Sequence, residues 1–167
     1  MRHTIKNSTK LQSVSDIEAG SAVYVPRHET TGIVLHHGDA RSAVRFLLLR
    51  DERGVFIDSQ FPHGVLQIGT AAELRIEIGK RAEVPSSPAE AIGLLGADQD
   101  GLFLIADLRP FGGSESRSVT LRLADWTKVA RDEEHADRAR NATAYLSRDW
   151  AIVLLQPDHE RVVVLGS

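Results

Sequence analysis

Residues 43–60, A-V-R-F-L-L-L-R-D-E-R-G-V-F-I-D-S-Q, constrain this chain more than any other stretch. Two apolar runs, 44–49 and 55–57, are rich in the branched and aromatic residues that suit a pleated surface, and they flank a charged segment ending in glycine. That pattern predicts a β-hairpin. Gly54 can adopt the positive φ that a short loop needs, and Asp51 can hydrogen-bond its own turn. A second hairpin is expected at the far end of the chain, with strands over 150–155 and 161–165 around a turn at 156–160. Between the two, Glu73-Leu74-Arg75-Ile76-Glu77-Ile78 alternates with period two, so three aliphatics share one face and three charges the other. One-sided strands of this kind mark antiparallel sheets, because a parallel sheet covered by helices needs apolar residues on both faces.

Shorter strands are predicted at 22–25, 33–36, 64–68, 102–106 and 119–123, each bounded by Gly, Pro or Asp turn signals. Two helices are expected as well. The short one starts with Ser87 as N-cap, Pro88 at the first helical position and Glu90 completing a capping box, and it stops at Gly96. The long one spans 127–146. Its acids (Asp132, Glu133, Glu134) come early and its bases (Arg138, Arg140) late, as the helix dipole favours. The expected fold is therefore α+β, mainly antiparallel β: a β-barrel or strongly curled sheet with one short and one long helix packed against it. Residues 1–13 read as a polar arm and 14–167 as a single domain, with a possible subdivision near 84–88, where Pro85-Ser86-Ser87-Pro88 looks like a connector.

Composition bounds the function. A 167-residue chain can bury roughly 70% of its unfolded surface, so no disulfide or metal staple is required. There is no cysteine, which removes disulfides, zinc–thiolate sites and thiol nucleophiles and fits a reducing, cytoplasmic compartment. No apolar run approaches membrane-spanning length, and the N-terminal arm lacks the apolar core of a signal peptide. A formal charge of −3, with acids and bases mixed along the chain, gives no footprint for duplex nucleic acid or an anionic membrane.

Two constellations carry candidate chemistry. His36 and His37 at a strand end, with His63 in a nearby loop, offer imidazoles suited to a transition metal. The cluster distantly resembles the metal site of cupins, which implies a barrel and a metal-dependent reaction; cupins use a His-x-His pair, whereas these two histidines are adjacent and point to opposite faces. The second constellation is Arg41-x-x-x-Arg45 before the hairpin and Asp58-Ser59 with Gly64 after it. This layout is similar to PilZ domains. That resemblance implies a cyclic dinucleotide held by Arg41, Arg45, Asp58, Ser59 and Gly64, with paired guanidiniums gripping phosphates. Here Ser59 directly follows Asp58, where the family has one residue between them. The opening strands also resemble those of small SH3-like barrels. No set of residues forms a nucleophile elbow or a phosphate loop. The expectation is a non-catalytic cytoplasmic binding or interaction module, a regulatory domain or homo-oligomeric subunit, with a small molecule or protein as partner and no obligatory cofactor. The alternatives are a metal-dependent enzyme with a cupin-like site and a degenerate PilZ-like domain. Tyr145, Trp150 and Trp126 are expected to offer aromatic anchors for a partner.

Overall fold

Strand follows strand along the chain because most apolar runs are four to nine residues long and end in turn residues. The structure is a computed structural model; it describes residues 10–37, 44–58, 64–80, 85–87, 90–109, 117–129, 144–156 and 160–166. Its strands are β1 (Ala22–Val25), β2 (Thr30–His37), β3 (Val44–Asp51), β4 (Gly54–Asp58), β5 (Leu66–Gly69), β6 (Leu74–Ile78), β7 (Leu95–Asp98), β8 (Gly101–Arg109), β9 (Arg117–Arg122), β10 (Thr127–Val129), β11 (Ala144–Ser147), β12 (Trp150–Leu155) and β13 (Arg161–Gly166). Three single-turn 3₁₀ helices, Val14–Asp16, Pro26–His28 and Ala71–Glu73, punctuate them.

Ten strands make one sheet with the path β10-β9-β8-β4-β3-β2-β1-β5; β7 joins it beside β8 and β11 beside β7. Two three-stranded antiparallel meanders, β2–β3–β4 and β8–β9–β10, form its centre. They meet through two parallel pairings, β4 with β8 at Asp58↔Arg109 and β10 with β2 at Thr127↔His36. The nine-residue β8 divides one edge between β7 at its start and β4 at its end. The other three strands, in the order β13-β12-β6, form a second sheet.

A shared core lies between the sheets. Ile33, Leu35, Leu48, Leu104 and Leu121 of the large sheet cluster with Trp150, Ile152, Leu154 and Val164 of the small one. Val34, Leu47 and Leu49 point the other way and pack under Val14 and Ile17. Both faces of β2 and β3 are thus buried, which is why their sequences read as nearly continuous apolar runs. On β6, Arg75 and Glu77 are exposed while Leu74 and Ile76 lean on the core, as the alternation dictates, but Ile78 at the strand end is 46% exposed.

The organising hairpin closes through Asp51 and Gly54. Asp51 Oδ1 accepts a hydrogen bond from the Arg53 amide at 2.8 Å, and Gly54 has φ +118° with nothing within 4 Å of a built Cβ. Gly54→Ala is therefore expected to cost about 1–2 kcal/mol through backbone conformation alone, read as a lower urea midpoint with an unchanged m-value. A change within error would show that the turn relaxes without cost.

The α+β expectation is corrected. Of the described residues 61% are strand and 8% helical, no described helix reaches seven residues, and the sheet is not closed. Where a long helix was expected over 127–146, its first residues are β10 and its last lie in β11; residues 130–143, with the charges that motivated it, lie outside the described residues. Charge order along a helix is worth only tenths of a kcal/mol per pair, less than the ladders that β10 and β11 make with their neighbours. The short helix reduces to one turn. The Ala91 amide donates to Ser87 O at 3.2 Å, and the Glu90 amide donates to Ser87 Oγ at 3.3 Å, but Gly93 at φ +84° ends the turn and Gly96 already belongs to β7. Gly96 is needed there because a Cβ would stand 2.2 Å from the Phe103 ring. Trp150 and Trp126 are 2% and 7% exposed, so neither is a surface anchor: their large apolar area is worth more in the core. Among the described residues no helix is long and apolar enough to cross a membrane.

Candidate functional site

Antiparallel register sets Arg45 of β3 directly opposite His36 of β2, and parallel pairing sets Thr127 of β10 against the other side of His36. Arg45 Nη1 donates to His36 Nδ1 at 2.5 Å, and Arg45 Nε donates to Ile17 O at 3.3 Å. A guanidinium has only donors, so His36 Nδ1 must accept and the ring proton is assigned to Nε2. Both side chains are half-buried.

The turn from Leu123 to Trp126 joins β9 to β10 and leans over this pair. Trp126 ends it in the left-handed conformation, φ +57°, which a bulky L-residue adopts at a cost of about 1–2 kcal/mol. Three neighbours hold it there. The His36 amide donates to Trp126 O at 2.9 Å, and the Thr127 amide donates to Asp125 Oδ1 at 3.2 Å. Gly20, itself at φ +85°, leaves room for the indole, since a Cβ there would lie 2.4 Å from Trp126 Cδ1. The ring is buried, and among the described residues its Nε1–H has no acceptor.

Together these residues bound a pocket of about 980 Å³. Arg45, His36 and Thr127 form its polar end, while Ala19, Leu74, Ile76, Leu123 and Trp126 make an apolar wall. Glu18 and Asp125 stand exposed on the rim. The volume is large enough for a metabolite-sized molecule, and the pocket is open to solvent on one side. A second pocket of about 470 Å³ lies beside Gly79 and Trp150, but its opposed charges, Glu77 and Arg161, are bonded to each other at 2.9 Å.

Of the residues singled out from sequence, His36 and Arg45 meet in the larger pocket, although they came from two different constellations. Asp58 lies elsewhere, in the β4 ladder opposite Leu47 and beside Arg109, and Gly64 packs against Leu11. The backbone of His37 pairs with Val44 and Lys128. Arg41, Ser59 and His63 lie outside the described residues. Among the described residues no three metal-ligating side chains gather. Sequence reasoning missed Trp126 as a pocket wall, because nothing in Asp125-Trp126-Thr127 announces a left-handed tryptophan. The Leu74 and Ile76 face was legible as an inward-facing stripe.

Compared with protein-family models, curated proteins and solved structures, the chain matches none. Its function must be argued from this pocket.

Proposed function

We propose that the chain is a non-catalytic binding module of the cytoplasm, regulatory in role, that takes a small molecule in the pocket between Trp126 and the His36–Arg45 pair. The observation that carries this reading is the left-handed backbone of Trp126, held by the His36 amide and the Gly20 clearance so that its indole forms the pocket wall. Strain of this kind persists where the surroundings over-determine it, and it concentrates at ligand clamps. Binding is favoured over catalysis by how the polar groups are engaged. His36 Nδ1, the nitrogen able to act as a base, is turned onto Arg45, and the Thr127 hydroxyl donates to a backbone carbonyl, Asp125 O, at 3.4 Å. The absence of cysteine supports a reducing compartment.

The test is an NMR titration with a panel of small carboxylic acids, amides, alcohols and nucleotides. At least one compound is expected to move the Trp126 indole N–H and the Thr127 amide. The Trp150 indole, which donates to Gly93 O at 2.8 Å inside the core, should stay still and serves as the internal control. The reading is overturned if no compound moves Trp126, if both indoles move together, or if a compound is turned over.

A further inference from the structure

Resting on that pocket reading, we propose that the ligand carries an oxyanion, a carboxylate or phosphate, attached to an apolar body. Among the described residues, the half-buried and buried polar side chains of the pocket offer mainly hydrogen-bond donors. Arg45 uses Nε on Ile17 O and one Nη1 proton on His36, and among the described residues no carboxylate pairs with it. Among the described residues its remaining N–H groups have no acceptor. The bond from Arg45 fixes His36 as an Nε2–H donor rather than an acceptor. Trp126 Nε1–H, on a residue 7% exposed, adds a donor with no acceptor among the described residues. Three residues that carry N–H donors, from three chain segments, therefore line one cavity, and one of them is a guanidinium.

A half-buried guanidinium keeps its charge, so the complement for this set is an anion that accepts several hydrogen bonds at once. Glu18 and Asp125 do not supply it. Both stand in water at the rim, where solvent screens them, and Asp125 Oδ1 already accepts from the Thr127 amide. The apolar wall of Leu74, Ile76, Leu123 and Trp126 then fits a flat or aliphatic body behind the charged head.

Three probes share one ring and differ only in the head group: benzoate, phenyl phosphate and the neutral isostere benzamide. Calorimetry and the Trp126 indole shift are expected to show at least one of the two anions binding tenfold or more tighter than benzamide, with affinity falling as salt rises. The stronger anion names the head group. Arg45→Met should remove that preference, bringing the favoured anion down to the affinity of benzamide. Because Arg45 also ties down Ile17, Trp126→Phe is a second variant, expected to weaken the anion several-fold while keeping the ring wall. Nitrogen-15 shifts of His36 should report Nδ1 as acceptor and Nε2 as protonated. Benzamide binding as well as both anions, or an Arg45→Met protein that keeps the preference, overturns the anion inference and leaves the pocket reading standing. If none of the three probes moves Trp126 while another compound of the panel does, the anion inference alone falls; if nothing does, both fall.

Discussion

Gly20→Ala is expected to lower stability by about 2–4 kcal/mol, a large loss for the addition of one methyl group. Two penalties add. At φ +85° any L-side chain strains the backbone by about 1 kcal/mol, and the new methyl would sit 2.4 Å from Trp126 Cδ1, 2.6 Å from Nε1 and 2.7 Å from the Ala71 Cβ. The indole cannot yield easily, because the backbone of Trp126 is tied to the His36 amide and its ring is buried among Leu123 and the core. For a chain of this length the loss corresponds to roughly 5–15 °C in Tm. A double-mutant cycle isolates the indole's share: in a Trp126→Gly background the clash with the ring vanishes, and Gly20→Ala should cost only about 1–2 kcal/mol from backbone strain and the remaining Ala71 contact. An equal loss in both backgrounds would mean that the clash is not with the indole. The same substitution should also abolish probe binding, since it moves the pocket wall.

The second large effect concerns Arg109, at the end of β8. Its guanidinium donates to Asp107 Oδ2 at 3.0 Å and to both carboxylate oxygens of Asp51, and it lies 4.1 Å over the Phe56 ring. Asp51 belongs to β3, Phe56 to β4 and Asp107 to β8, so one side chain joins three strands at the parallel seam between the two meanders. Arg109→Met, which keeps an apolar side chain near Phe56, is expected to destabilise by about 2 kcal/mol. That figure lies between the value of an exposed pair and that of a buried one, as side-chain exposures of 29% for Arg109 and 10% for Asp107 require.

The loss should depend on pH. The hydrogen bond from Arg109 is the largest cause holding the Asp51 carboxyl below its ordinary value of 3.8; burial works against it, and the Arg53 amide helps. A carboxyl whose pKa is lowered in the folded state contributes stability that is fully present above the unfolded value and is lost as pH falls through the folded one. The gap between wild type and Arg109→Met in urea midpoints should therefore be widest at neutral pH and should narrow below 3.8. A gap that stays constant into acid would assign the effect to packing on Phe56 instead.

The hairpin at 43–60, the closing hairpin and the one-sided β6 were legible in the sequence because each rests on neighbours in the chain. Alternation, a turn carboxylate and a glycine with free φ act over a few residues, and nothing distant contradicts them. The two helices were misread for the complementary reason. The stretch beginning at residue 127 has charges in helical order, yet its backbone groups at Thr127 and Lys128 find partners on β2, some ninety residues earlier in the chain. No local rule registers that pairing.

The candidate site divides along the same line. From residue types alone, His36 and Arg45 were recognisable as groups that bind, because imidazole and guanidinium chemistry belongs to the side chain. Which of them meet, and what stands opposite, was decided by the fold: the β2–β3 register put them face to face, and β10 brought Trp126 over them. The sequence by itself therefore determined the strands, their inward faces and the reactive types. Only the tertiary structure decided the pocket, because it depends on contacts whose free energy exists only once distant segments have paired.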